Sequence, residues 1–161
     1  MIKHLHITNY VLIDVIDIQF SQNLNIITGE TGAGKSIVMG ALNLILGDRA
    51  DASVLVNKEK KCVVEGTFDL LKSNSLKKAL QQLDIEQDDE LIIRREIAAN
   101  GKSRAFINDT PVNLAQLKQV TSLLVDLHQQ FDTLSLSDSN FQQQIIDAIA
   151  NNFALVKTYK I

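Results

Sequence analysis

One eight-residue segment limits the possible folds of this chain more than any other part of its sequence. Residues 29–36 match the pattern G-x-x-x-x-G-K-[ST] at every fixed position, and they are Gly29-Glu30-Thr31-Gly32-Ala33-Gly34-Lys35-Ser36. Glycines permit a tight turn whose backbone N–H groups point inward, and such a turn holds phosphate groups. The pattern therefore predicts a phosphate-binding loop, or P-loop, in an α/β fold.

The flanking sequence supports this prediction, because a P-loop joins a buried strand to a helix. We expect the apolar segment 24–28 to be that strand, since it leads directly into Gly29. Residues 37–46 are apolar on nearly all sides, which is typical of a helix packed against a sheet. Gly47 follows at a position where helices commonly end. The competing interpretation is a glycine-rich surface turn with a solvated lysine.

Two side chains of the loop have expected contacts with a nucleoside triphosphate. Lys35 would reach the β- and γ-phosphates, and the Ser36 hydroxyl would bind Mg²⁺. The positive end of the following helix would face the same phosphates.

Composition narrows the class of protein. The 161 residues are enough for one domain with a sizeable core, and a net charge of −3 gives no support for a nucleic-acid footprint. Cys62 is the single cysteine, which excludes an internal disulfide and suits a reducing compartment. No stretch has the length of a membrane span, and Asp14 and Asp17 interrupt the first apolar region, so no signal peptide is expected. We therefore expect a cytoplasmic protein.

Periodicity predicts most of the remaining elements. Strands are expected at residues 2–7, 11–20, 62–70, 90–96 and 104–108, and helices at 75–83 and 114–120. Asn100-Gly101 is a strong hairpin signal between two of these strands. Segment 122–127 has the texture of a buried strand that ends in an acid. Apolar residues recur every four positions from Phe141 to Phe153, which predicts one helix, either a core helix or the root of a coiled coil.

Several basic residues leave their roles open. Arg94, Arg95, Lys102 and Arg104 surround the predicted hairpin, where they would contact DNA or phosphate, or else be ordinary solvated charges. Arg49 follows the P-loop helix, where it would reach back to phosphate or across to DNA, or else be a surface residue at a helix end.

Hydrolysis needs an acid that holds Mg²⁺ and a group that orients water. Asp126 is the candidate acid if the chain is a complete small P-loop protein. However, Leu127 and His128 follow it, where an ATPase of the recombination type would carry a catalytic glutamate.

Four segments together resemble the RecN family of bacterial DNA repair proteins, a member of the SMC-like branch of the ABC ATPases. Besides residues 29–36, they are Leu46-Gly47-Asp48-Arg49-Ala50-Asp51-Ala52, the hairpin from Arg94-Arg95-Glu96 to Gly101-Lys102-Ser103-Arg104-Ala105-Phe106-Ile107-Asn108, and Leu124-Val125-Asp126-Leu127-His128-Gln129-Gln130. The P-loop alone indicates only an NTPase, whereas the other segments, in the same order as in the family, make the resemblance specific.

The resemblance implies an ATPase head split by a long coiled coil, with residues 1–140 as its N-terminal lobe and residues 141–161 as a helix toward the coil. It implies ATP and Mg²⁺ as cofactors, a C-terminal lobe of the same protein that carries the signature motif and Walker B acid, a homodimer formed by head engagement, and DNA as a partner. Gln130 falls at the position where the family contacts Mg²⁺ and the attacking water. The family usually has His-Gly-Gln-His-Glu there, and this chain has His128-Gln129-Gln130-Phe131-Asp132, so Gln129 is the alternative. Arg49 occupies a position where SMC-like heads present an arginine near the phosphates.

We therefore expect a P-loop NTPase of the ABC/SMC head type, with a mixed, partly antiparallel sheet over the P-loop helix. The implied function is ATP binding by this lobe and, with the C-terminal lobe, hydrolysis that drives head engagement in DNA double-strand-break repair. This fragment alone is expected to be inactive. Two alternatives stay open: a self-contained small kinase or NTPase that uses Asp126, and a non-catalytic, nucleotide-sensing dimerisation module.

Overall fold

The computed structural model describes residues 1–29, 34–70, 74–125, 139–150 and 152–159. The chain divides into two compact units, Met1–Asp126 and Leu127–Ile161. The predicted lobe boundary at residue 140 stays a prediction. Of the helices in the described ranges, none has both the length and the apolar character needed to cross a bilayer.

A six-stranded sheet forms the frame of the first unit. Its strands are β1 (Ile2–Tyr10), β2 (Ile13–Gln19), β3 (Cys62–Asp69), β4 (Glu90–Ile97), β5 (Ser103–Ile107) and β6 (Thr110–Val112). Their spatial order is β2-β1-β3-β4-β5-β6, and each neighbouring pair among these described strands is antiparallel. The strands predicted from periodicity are thus present, including the hairpin at Asn100-Gly101, where Gly101 has a φ of +78°.

Alternation along the strands decides which face of the sheet is buried. On β4, Leu91, Ile93 and Ile97 are fully buried, and on β3 Cys62 and Val64 are as well. The intervening positions lie on the other face, which is more exposed and largely polar. The core therefore lies on one side of the sheet, where the helices pack.

Among the described residues, three helices belong to the first unit and two to the second. They are α1 (Lys35–Ile45), α2 (Asn74–Gln82) and α3 (Leu114–Thr121), then α4 (Ser139–Ile149) and α5 (Phe153–Tyr159), with a short 3-10 helix at Ala52–Val54. Helix α1 is the predicted P-loop helix, and it packs against β3 and β4. It ends as predicted, because Gly47 takes a φ of +110° and the Asp48 N–H donates to the Asn43 carbonyl oxygen at 2.9 Å.

The strand predicted at 24–28 is absent, and this expectation was wrong. These residues carry no strand pairing, and Leu24 and Ile26 are 79% and 74% exposed. The apolar composition did indicate a segment suited to burial. However, a strand forms only beside a partner that takes its N–H and C=O groups, and no described strand lies next to it.

Two further expectations differ from the structure. Residues 122–125 are not a strand; they continue from α3 as turns, with the Val125 N–H donating to the Thr121 carbonyl oxygen at 3.0 Å. The rest of that predicted strand, including Asp126, lies outside the described residues. The single helix predicted from Phe141 onward is divided into α4 and α5. Asn152 precedes α5, a position where asparagine is favoured over the helix interior.

Candidate functional site

The start of α1 brings the two ends of the P-loop segment together. Lys35 is the first residue of the helix, and its Nζ donates a hydrogen bond of 2.6 Å to the carbonyl oxygen of Gly29. Lys35 and Ser36 are both exposed. The lysine side chain therefore spans the loop from its last residues to its first.

Two glycines of the loop have no reason within the described chain to be glycine. A Cβ atom added to Gly29 or Gly34 meets no described atom within 4 Å. Gly34 has a φ of −93°, and the positive-φ glycines of the described chain are Gly47 and Gly101. Neither packing nor backbone conformation therefore explains Gly29 and Gly34. Close approach of a ligand to the backbone is the remaining reason for glycine, and it fits a phosphate chain.

The charges at this end of α1 favour an anion. The first turn of the helix contains no acidic residue, so its unpaired N–H groups and the Lys35 ammonium group act together. The only partner of Lys35 in the described chain is a neutral carbonyl oxygen. The residues present thus fit a polyphosphate.

Several predicted site residues lie outside the described residues. They are Glu30, Thr31, Gly32 and Ala33 in the loop, together with Asp126, Gln129 and Gln130. Their roles stay predictions.

Arg49 lines a shallow cleft of about 290 Å³ beside α1. Tyr10 from the end of β1, Gly40 from α1 and Asp51 contribute to the same cleft. Gly40 lies five residues after Lys35, which is about 8 Å along a helix axis. The structure therefore places Arg49 in a cleft on the flank of α1 that reaches as far as Gly40.

The Arg49 segment is fixed on both sides. After it, the Asp51 carboxylate accepts a hydrogen bond of 2.8 Å from the Ser53 N–H and caps the 3-10 helix. The hydroxyl and N–H of Ser53 hold the pKa of Asp51 below its ordinary value. Before it, the Asp48 carbonyl oxygen accepts a hydrogen bond of 3.2 Å from Arg95 Nη1. The backbone around Arg49 is therefore held in one conformation.

Arg95 is not a surface charge, contrary to one of the two interpretations of the basic cluster. It is 1% exposed, and its guanidinium group lies against the C-terminal turn of α1. Nη1 donates to the Leu44 and Asp48 carbonyl oxygens at 3.1 and 3.2 Å, and Nη2 donates to Ser103 Oγ at 2.6 Å. Burial lowers the pKa of Arg95, and the charge of Asp48 partly opposes this.

Sequence reasoning missed the burial of Arg95, although the signal was present. Leu91, Ile93 and Ile97 alternate along β4, and Arg95 occupies the same inward face. Alternation along the strand would therefore have been enough to assign Arg95 to the core.

The other basic residues of the hairpin are divided between two environments. Arg94 lies on the open face of the sheet, where it pairs with Asp109 at 2.8 Å and stacks over the Phe106 ring. Lys102 and Arg104 are exposed and line a cleft with Lys61 near the hairpin turn. We call this part of the sheet, with Lys61, Lys102 and Arg104, the basic end; Glu96 also lines its cleft and pairs with Lys61 at 2.9 Å. The opposite end of β4 is acidic, and its cleft is lined by Glu86, Asp88, Asp89, Glu90 and Asp109.

Comparison with known proteins settles the family. Residues 1–151 match the model of the family described as RecF/RecN/SMC N terminal domain. The chain belongs to this family. The DNA repair protein RecN of Vibrio cholerae is 38% identical over 157 residues, which is 98% of this chain. RecN of Haemophilus influenzae is 36% identical over 93% of the chain, and RecN of Bacillus subtilis is 33% identical over 99%.

The chain spans about 28% of the length of these RecN relatives. The resemblance to the RecN family inferred from four segments is thus confirmed over nearly the whole chain.

Solved structures confirm the fold class of this RecF/RecN/SMC member. A structure from a study of ATP-driven dimerisation and DNA-stimulated activation of SMC ATPases has a TM-score of 0.60 at 19% identity, and the match covers 92% of this chain and 98% of that one. An Smc head domain from Pyrococcus furiosus has a TM-score of 0.61 at 18% identity, with 77% and 33% covered. The recombination mediator protein RecF with ATPrS gives 0.55 at 17%, with 73% and 29% covered. The chain therefore has the α/β P-loop NTPase fold of SMC and RecF heads.

Proposed function

We propose that this chain is the N-terminal, ATP-binding lobe of an SMC-like ATPase head. The observation that carries the proposal is the position of Lys35, which stands exposed at the start of α1 and spans the loop to Gly29. The RecN relatives and the SMC and RecF head neighbours support ATP as the nucleotide.

Each residue of the loop has a distinct task in this proposal. The backbone N–H groups of residues 29–36 hold the triphosphate, and Lys35 neutralises charge on the β- and γ-phosphates. The Ser36 hydroxyl and Gln130 hold Mg²⁺, which supplies charge neutralisation at the transferred phosphoryl group when bound. Arg49 reaches the nucleotide from the flank of α1. The catalytic contributions assigned to this chain are those of Lys35 and Gln130.

Hydrolysis requires parts that this lobe does not supply. We propose that the C-terminal lobe of the same protein brings the Walker B acid and the signature motif. Head engagement in a homodimer then closes the signature motif over the γ-phosphate. Such closure assembles the catalytic site only when the partner arrives. ATP binding thus drives engagement, and hydrolysis releases it.

We propose that the full-length protein acts on DNA in double-strand-break repair, in the cytoplasm and associated with the nucleoid. The names of the RecN relatives support the repair role. Although the chain has a net charge of −3, the exposed cations Lys61, Lys102 and Arg104 lie together at the basic end, where Lys61 also pairs with Glu96. A local patch of this kind supports contact with a phosphate backbone better than composition alone suggested.

The nucleotide site is tested by Lys35→Ala in this chain. Loss of the ammonium group removes a charge-assisted contact to phosphate, so ATP affinity should fall at least about tenfold in calorimetry. Lys78→Ala is the matched control, because Lys78 is an exposed lysine on α2 that lies away from the loop. Equal ATP affinity in the Lys35 and Lys78 variants would refute the proposed site.

A further inference from the structure

One buried guanidinium group joins three parts of the first unit. Arg95 belongs to β4, Ser103 begins β5, and Leu44 and Asp48 lie at the end of α1 and just beyond it. All of its hydrogen-bond partners are neutral oxygens, and its Nε has no partner among the described residues. Burying a charge in this way is costly, and an apolar residue would suit this inward position of β4 better for stability alone.

The contact with Asp48 acts directly on Arg49. The Asp48 carbonyl belongs to the peptide unit that precedes the Arg49 Cα atom, so a hydrogen bond to it fixes the plane of that peptide. The Asp51 cap fixes the backbone two residues later. Together they leave the Arg49 side chain on the wall of the cleft formed with Tyr10 and Gly40.

We propose that Arg95 is a positioning residue for nucleotide binding, which holds the 48–51 turn so that Arg49 stays on the wall of the cleft beside α1, from which it reaches a nucleotide held at the start of that helix. The proposal rests on the proposed function, because it gives Arg49 a ligand to reach. Arg95 itself is buried and touches no ligand.

The geometry requires arginine at this position. Nη1 serves two carbonyl oxygens while Nη2 serves the Ser103 hydroxyl, which uses two separate donor groups of one rigid plane. A lysine has a single ammonium group on a flexible stem and does not reproduce this fork. The Ser103 hydroxyl accepts a hydrogen bond from Nη2 and so orients the Arg95 guanidinium group. That group in turn orients Arg49.

A double-mutant cycle on ATP affinity separates positioning from general stability. Ser103→Ala removes one hydrogen bond and leaves Arg95 in place, and Arg95→Lys removes the fork. We expect Ser103→Ala to weaken the binding of a fluorescent ATP analogue by about threefold to tenfold, and Arg95→Lys by at least as much. In an Arg49→Ala background, Ser103→Ala should cause no further loss, because the side chain that it positions is gone.

The controls keep the two proposals distinguishable. Ser122→Ala removes an exposed serine hydroxyl that also donates to one backbone carbonyl, and it should leave affinity unchanged. Thermal melting of each variant reports whether it folds, and Ser103→Ala carries the test if Arg95→Lys does not fold. An unchanged affinity for Ser103→Ala, or an equal loss with and without Arg49, would overturn the positioning role. If Lys35→Ala still abolishes binding, the proposed function would survive that result.

Discussion

At the scale of single residues, Gly40 shows why a flexible residue is present in the middle of a buried helix. Glycine in a helix interior is less stable than alanine by about 0.5–1 kcal/mol. However, a Cβ atom at Gly40 would lie 2.6 Å from the Tyr10 hydroxyl oxygen and 3.7 Å from the ring carbon that bears it. The ring is buried against α1, so it has little freedom to withdraw. The contact between Tyr10 and Gly40 therefore decides the residue at position 40.

This contact predicts a compensating pair of substitutions. Gly40→Ala alone should destabilise the fold by about 1–3 kcal/mol through overpacking. In a Tyr10→Phe background the hydroxyl is absent, and Gly40→Ala should be neutral or stabilising because helix propensity then dominates. Urea unfolding of the four proteins in the cycle measures both values. Equal destabilisation in both backgrounds would show that something other than the hydroxyl excludes alanine.

Cys62 gives a residue-scale prediction about pH. The thiol is fully buried, and burial raises its pKa to about 11 from an ordinary value of 9.0, while the charge of Arg95 partly opposes the shift. Because the pKa of the Cys62 thiol is higher in the folded state than in the unfolded state, the contribution of the protonated thiol to the free energy of unfolding is complete below pH 9.0. It is lost as pH rises toward 11, since only the unfolded chain can release the proton.

The measurement compares the wild-type chain with Cys62→Ala in urea at pH 8.5 and 10.5. The wild type should lose about 2 kcal/mol more stability than the variant across this interval. The change in the free energy of unfolding between the two pH values is compared for the two proteins, so the pH-independent cost of the smaller side chain cancels. Parallel losses in both proteins would contradict the assignment of the pH dependence to Cys62.

At the scale of elements, the β4–β5 hairpin separates its basic residues by the alternation of the strands. Arg95 lies on the inward face and Arg94 on the open face, where Asp109 and Glu96 lie near it. Lys102 lies beside the hairpin turn and Arg104 lies on β5, and both side chains are exposed. Of the four basic residues of the hairpin, Lys102 and Arg104 are therefore the two that are suited to binding an external polyanion.

Charge reversal tests the hairpin as a DNA contact of the full-length protein. Lys102→Glu with Arg104→Glu should weaken DNA binding about tenfold or more near 100 mM salt, irrespective of sequence. The slope of log affinity against log salt concentration should also become shallower by the amount expected for the loss of about two phosphate contacts. Lys77→Glu with Lys78→Glu on α2 changes the net charge equally and is the control. Equal losses for both pairs would indicate long-range charge and no local contact.

At the scale of the whole molecule, the described strands of the sheet pair only antiparallel, yet the sequence upstream of the P-loop is typical of a buried strand. Leu24, Ile26 and Ile27 are exposed in the first unit. An exposed apolar segment that pairs with no strand among the described residues is suited to pairing with a strand from another part of the protein. We expect the proposed C-terminal lobe to meet this requirement for a partner strand.

A substitution at Ile26 tests this requirement. Ile26→Asp should leave the melting temperature of this chain nearly unchanged, because the side chain is already 74% exposed. It should nevertheless abolish association with a separately expressed C-terminal half and the ATP turnover of the mixture. The chain alone should show negligible turnover in both forms. Robust Mg²⁺-dependent turnover by the chain alone would instead support the self-contained alternative with Asp126 as the metal acid.

The parts of this fold that sequence predicts are those whose partners lie within the same unit. The strands of the sheet, the hairpin at Asn100-Gly101 and the end of α1 at Gly47 follow from local patterns, and all are present. Segment 24–28 was predicted wrongly, because its pattern specifies burial and says nothing of where the partner strand is. The tie from Arg95 to Asp48 spans 47 positions in sequence, and only the three-dimensional structure brings these residues together.

The hydrogen bond between Lys35 and the Gly29 carbonyl oxygen competes with any anion that approaches the lysine. The ammonium group is already bound to a backbone oxygen, so a ligand gains only the difference between a contact to phosphate and the contact that it displaces. A long, highly charged phosphate chain gains more than the displaced contact to the Gly29 oxygen contributes, while a small, weakly charged anion gains little. We therefore expect this contact to make Lys35 discriminate by charge among phosphorylated metabolites.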